Sequence, residues 1–211
     1  MASPSKVRHH GQPARLLSRA DNETEDIPKE ELYFDQSIVP TLETFGQYQA
    51  SKLAAHTATL DYVTTHKPQY SVVTIHPVYV FGHNLLQTSA DELAGTNGML
   101  FGSLYAKEPM FAPYRGVHVL DVAEAHVRAL DLDETPVSSF LVSGKDRPWE
   151  EVLEYANKEF PGAGFLTEPK TGDRWFVDTT RAEAQLGFKT WREMEVQVKD
   201  VVSQQLQLRG S

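Results

Sequence analysis

Apolar positions recur with a helical period in one early stretch of the chain and run together in several short ones, and the alternation of these two modes sets the expected architecture. From Phe45 to about Thr65, Leu53, Ala54, Ala58 and Tyr62 recur at helical spacing in an alanine-rich background, and Pro68 follows, so a helix is predicted there. "YSVVTIHPVYVFG" then gathers β-branched residues from Ser71 to Ile75 and closes on Pro77 and Gly82, which predicts a largely buried strand entering a loop. "TSADELAGTNGMLFGSLYAKEP" is weakly helical and interrupted by glycine. "GVHVLDVAEAHVRALDLDE" reads as a short strand followed by a helix. In it Asp121 and Glu124 form a capping-box-like start, and Val122, Ala125, Val127, Ala129 and Leu130 are available for packing.

Three further elements close the pattern. "SSFLVSG" is a short strand, Pro148 opens a helix in "PWEEVLEYANKEF", and "TTRAEAQLG" is a short helix with Gly187 as its natural terminator. "TWREMEVQVKDVVSQQLQLR" predicts an amphipathic terminal helix. Residues 1–28 are polar and punctuated by proline without sustained periodicity, so they read as a loop or disordered leader. Short apolar strands between helices favour an α/β class with parallel pairing, although the strands in view are few for a complete doubly wound sheet.

Composition narrows the function classes. A formal charge of -9 and a pI near 5.3 disfavour nucleic acid, whose nonspecific binding runs on clustered Lys and Arg. The absence of cysteine removes disulfides, thiolate metal sites and cysteine nucleophiles. No apolar run reaches the ~18 residues needed to span a bilayer, so no membrane partner and a cytoplasmic location are expected. The eight histidines show no H-E-x-x-H spacing, and no metal is expected. Trp149, Trp175 and Trp191 read as packing residues.

The chemistry rests first on "YQASK". Tyr48 and Lys52 are four apart, so a helix sets them on one face. An adjacent ammonium favours phenolate over phenol and moves a tyrosine toward useful proton transfer. A carbonyl reductase uses such a pair, but eight tyrosines give on the order of 0.4 pairs by chance, so the flanking segments decide.

Those segments resemble a known family. "YQASKLAAHTATLDYV" looks like the Y-x-x-x-K helix of the extended short-chain dehydrogenase/reductases, the NAD-dependent epimerase/dehydratase family. "VVTIHPVYVFGHNL" resembles its strand and proline loop beside the nicotinamide, "GVHVLDVAEAHVRAL" its later segment near substrate, and "FVDTTRAEAQLGF" part of its C-terminal lobe. Within the family the likeness leans toward ketoreductases and aldehyde reductases of the dihydroflavonol-reductase type. The resemblance implies Tyr48 as general acid/base and Lys52 as the residue that lowers its pKa and binds ribose. It further implies Pro77 and Val80 at the nicotinamide, with Tyr48 and Lys52 completing the cofactor contacts, and His83 and Asn84 facing substrate. NADP or NAD is the implied cofactor, and a small carbonyl or alcohol, plausible in secondary metabolism, the implied substrate.

The departure from the family is at the nucleotide. "GTNGMLFG" and "PGAGF" do not have the spacing of the glycine-rich turn that holds a pyrophosphate, and Ser18 is the one candidate for the serine that polarises the carbonyl. The expected fold is therefore a partial Rossmann-like fold without the first nucleotide-binding half. Residues 29–85 carry the catalytic helix and nicotinamide-side strand, and 86–211 a small substrate lobe with interleaved Rossmann elements. Weak or absent cofactor binding is one expectation, and an oligomer or a partner chain that completes the sheet is another. The alternatives are a cofactor-independent isomerase or dehydratase, a binding module, or an inactive truncated paralogue.

Overall fold

The computed structural model describes residues 36–107, 114–132, 136–168 and 177–210. Residues 1–28, Ser18 and Trp175 lie outside the described residues. The chain divides into two compact units, Met1–Gln69 and Tyr70–Ser211.

In the first unit a 3-10 turn over Gln36–Thr41 leads into α1, Thr44–His66. The helix runs 23 residues because nothing after Gly46 interrupts it. It stops at Lys67, whose left-handed backbone (φ 45°) returns its N–H to the Val63 carbonyl at 3.0 Å before Pro68, which has no N–H to continue the ladder. Gln49, Ala50, Leu53 and Val63 are its buried residues, whereas Ala58 and Tyr62 of the predicted stripe are exposed.

The second unit is α/β. Strand β1, Val72–Pro77, pairs in parallel with β4, Val137–Val142, in register from Val72 opposite Val137 to Pro77 opposite Val142. Strand β2, Tyr79–Phe81, pairs in parallel with β3, Gly116–His118. The helices are α2 (Gly95–Ser103), α3 (Val119–Arg128), α4 (Trp149–Glu159), α5 (Thr180–Leu186) and α6 (Met194–Arg209). One core joins Phe81, Leu100, Leu104, Trp149, Val152 and Val198; a second joins Ala125, Phe140, Val142, Leu186 and Phe188, with Trp191 stacked on Phe188 at 4.2 Å. Pro148 caps α4 and Gly187, at φ 70°, ends α5, as their positions in the sequence predict.

Three expectations need correction. Val72–His76 are half-buried rather than largely buried, because β4 is the strand partner of β1 among the described residues and a strand inside a parallel sheet needs cover beyond one neighbour. Asp121 does not start α3: the helix begins at Val119 with His118 as its cap, and Asp121 is buried inside it, paired with the Arg192 guanidinium and accepting the Arg192 backbone N–H at 2.9 Å. Val127 in α3 and Leu130 in the 3-10 turn that follows it, Ala129–Asp131, are 63% and 83% exposed rather than packed.

A reciprocal capping box sits where no cap is predicted. Glu92 accepts from the backbone N–H of Thr88 at 2.7 Å and of Ser89 at 3.2 Å. These backbone hydrogen bonds hold its carboxyl below the usual range. A depressed carboxyl stabilises above its unfolded pKa of about 4.3, and the contribution is lost as pH falls through the lower folded value. The Thr88 and Ser89 amide resonances should therefore titrate with an inflection below pH about 4.3, and Glu92→Gln should abolish it.

Candidate functional site

Tyr48 and Lys52 meet on α1 as their spacing predicts, with Lys52 Nζ 5.3 Å from the centroid of the Tyr48 ring. Tyr48 is 57% exposed and stacks on Phe45, with ring centroids 6.3 Å apart. Ser51 Oγ donates to the Tyr48 carbonyl at 2.7 Å. An exposed phenol with an ammonium over its ring contributes nothing to a core, which leaves it open to chemistry.

The other four predicted residues lie on one continuous segment of the second unit. Pro77 ends β1 and is exposed, Val80 is half-buried at the centre of β2, and His83 and Asn84 are exposed just beyond it. Gly82 makes the turn between strand and loop. Its φ is +147°, and a Cβ there would stand 2.7 Å from Val119 Cγ1, so both backbone and space require glycine.

Side chains from two helices hold this segment. The Thr96 hydroxyl donates to the Val80 carbonyl. Asn97 accepts the Gly82 N–H at 3.3 Å and donates to the Gly82 carbonyl at 2.7 Å. Gln204 of α6 accepts the Asn84 N–H at 2.9 Å and donates to the Asn84 carbonyl at 2.8 Å. Asn84 Oδ1 itself accepts the Leu86 N–H at 3.0 Å, a local turn that fixes its side chain as well.

Beside Gly82, the buried His118 accepts the Leu120 N–H at Nδ1 (3.1 Å). That acceptor role puts its hydrogen on Nε2, which donates to Asp200 Oδ2 at 3.0 Å. Asn97, His118, Asp200 and Gln204 are not among the residues expected from the sequence. A signal existed for Gln204: Met194, Gln197, Val198, Val201 and Gln204 repeat at three- and four-residue steps, so the glutamines stand in the buried stripe.

No family model matches the chain. It is 34% identical over 201 residues to "Ketoreductase sphI" of Aspergillus fumigatus, covering 93% of this chain and 60% of that protein. It is 32% identical over 176 residues to "Ketoreductase CTB6" of Cercospora beticola, covering 76% and 48%. Among solved structures it is similar to yeast methylglyoxal/isovaleraldehyde reductase Gre2 complexed with NADPH. The TM-score is 0.66 at 22% identity, over 80% of this chain and 53% of that one, a likeness of fold. The chain thus spans about half the length of the curated relatives it matches. Among the described residues no helix is long and apolar enough to cross a membrane.

Proposed function

The chain belongs to the extended short-chain dehydrogenase/reductases, and from that membership we propose that it carries the acid/base part of an NAD(P)-dependent oxidoreductase. Its substrate is a small ketone or the corresponding alcohol. The ketoreductase names of its relatives in Aspergillus and Cercospora favour reduction over epimerisation or dehydration, and favour a role in secondary metabolism. The observation that carries the reading is the Tyr48–Lys52 contact.

The residues divide the work by chemistry. Tyr48 gives its phenolic proton to the alkoxide oxygen as the carbonyl is reduced. Lys52, whose Nζ stands over the Tyr48 ring, would hold a ribose hydroxyl with its ammonium donors. Pro77 and Val80 would border the nicotinamide, and His83 and Asn84 would face the substrate. NAD(P)H, when bound, supplies the hydride.

The residues present fit the nicotinamide-ribose end of that cofactor: an exposed phenol and an ammonium share one helix face. The pyrophosphate end is not met by the glycines of "GTNGMLFG", which form α2 after a 3-10 turn rather than a loop closing a strand. That mismatch favours a second reading, in which the tyrosine serves a cofactor-free isomerase or dehydratase, or the chain is a binding module.

Calorimetric titration with NADPH and NADH separates the two. The reductase reading expects micromolar binding that Lys52→Ala weakens about tenfold or more, the loss of a charged hydrogen bond. A folded protein that binds neither nucleotide would leave the cofactor-free reading.

A further inference from the structure

We propose that Gln204 is a positioning residue for the substrate loop: with Asn97 it satisfies the backbone of the bend and loop at Gly82–Asn84 and fixes how His83 is presented. The inference rests on the reading of that segment as the substrate side of a reductase.

Alternate residues of an extended chain turn their N–H and C=O groups to the same side, where a neighbouring strand would exchange two hydrogen bonds with each residue. Val80 lies in β2, whereas Gly82 stands at the bend that ends the strand and Asn84 in the loop beyond it, so their backbone groups need partners other than a strand. Thr96 holds the first by its carbonyl, and Asn97 and Gln204 each accept from and donate to the second and third. A primary carboxamide is the side chain suited to this, because it offers one acceptor and one donor in the same plane as a peptide group does. The backbone beyond β2 is thereby satisfied without a strand, and the chain beyond Phe81 stays free to carry side chains outward.

Gln204 is costly for any lesser role. It is buried on the face of α6 that also buries Val198, Val201 and Val202, where an apolar residue would pack with no polar group to satisfy. Both of its polar atoms are committed to the backbone of Asn84, 120 residues away in sequence. The next residue, Gln205, adds a second carboxamide anchor, exchanging side-chain hydrogen bonds of 2.8 and 3.1 Å with Gln87, which also donates to the Ser89 carbonyl at 2.9 Å. Between these anchors Leu85 and Leu86 are each 88% exposed. Hydrophobic burial therefore does not hold the loop; the carboxamides do.

The test compares Gln204→Met, which keeps the length of the side chain but can neither accept nor donate well, with Gln207→Met, exposed on the same helix. Two readouts are taken: amide hydrogen exchange over residues 83–88, and steady-state reduction of a panel of ketones with NADPH. Gln204→Met is expected to raise exchange in that segment about tenfold or more, as loss of local protection does. It is also expected to raise KM about tenfold with kcat changed less than about twofold, the signature of lost positioning in substrate binding. Gln207→Met is expected to change neither.

Unchanged exchange in Gln204→Met overturns the clamp. Raised exchange with KM unchanged overturns its link to substrate, and exchange raised along the whole chain makes Gln204 a general structural residue, which also overturns the proposal. Should Gln204→Met fail to fold, Gln204→Glu retains the acceptor for the Asn84 N–H and is read the same way, with a smaller rise expected. A wild-type protein without turnover removes the reductase reading, and exchange alone then decides the clamp.

Discussion

Tyr48→Phe lowers kcat/KM for ketone reduction about 10³-fold and leaves the thermal transition within about 1 °C, because it removes a proton donor and nothing that packs. The ring and its stacking with Phe45 survive the substitution, as does the contact with Lys52 Nζ at 5.3 Å. At 57% exposure the hydroxyl has no buried site to vacate, so a fall in stability is not expected. Cofactor affinity should also hold in Tyr48→Phe, in contrast to Lys52→Ala, whose lost ammonium affects both ribose binding and proton transfer. Single-turnover and steady-state rates together check this: a proton-transfer defect lowers both alike. Wild-type turnover in Tyr48→Phe would move the acid/base role to another residue, and a matching loss of folded protein would assign Tyr48 to structure instead.

The helix that carries this pair was legible because its signals are local. An alanine-rich run, the four-residue spacing of Tyr48 and Lys52, and Pro68 beyond the end all act within a few turns of one another. Pro148 and Gly187 were legible for the same reason: each sets its own φ whatever lies elsewhere in the fold. What escaped is nonlocal. Asp121 has the residue type and spacing of a cap, yet its carboxylate is claimed by Arg192, 71 residues on, while a histidine does the capping. Gln204 reads as a polar blemish on an amphipathic helix until the Asn84 backbone is placed against it. The half-burial of β1 depends on how many strands flank it, which no property of Val72–Ile75 records.

Gly116 brings the same nonlocal packing into a stability measurement, and Gly116→Ala is expected to cost on the order of 3 kcal/mol, the upper part of the overpacking range. A Cβ at Gly116 would stand 2.5 Å from Phe81 Cδ2 and 2.6 Å from the Tyr114 hydroxyl, and closer still to Gln197 Oε1. None of the three can withdraw. Phe81, Tyr114 and Gln197 are buried, the Tyr114 hydroxyl donates to Gln197 Oε1 at 2.8 Å, and Gln197 Nε2 is held by the Arg192 carbonyl at 2.8 Å. Burial, reinforced by Glu195, keeps the Tyr114 phenol protonated well past neutral pH, so the bond persists across the working range. On the other side Gly144 donates its N–H to the Gly116 carbonyl at 2.9 Å, which prevents the strand from moving away.

For a chain of this size the loss corresponds to a Tm lower by about 6–12 °C, read by circular dichroism or calorimetry. Gly102→Ala is the control. It lies in α2 with nothing within 4 Å of the added carbon, and there alanine should stabilise by about 0.5–1 kcal/mol through helix propensity alone. Opposite signs at the two positions would show that occupied space, not the flexibility of glycine, decides the cost at Gly116. Adding Tyr114→Phe to Gly116→Ala should recover part of the loss, since it deletes one of the three obstructing atoms. Equal, small effects at both glycines would mean that β3 and the His118 it carries have room to shift, and the close packing at the start of the strand would then not be what fixes His118 beside Gly82.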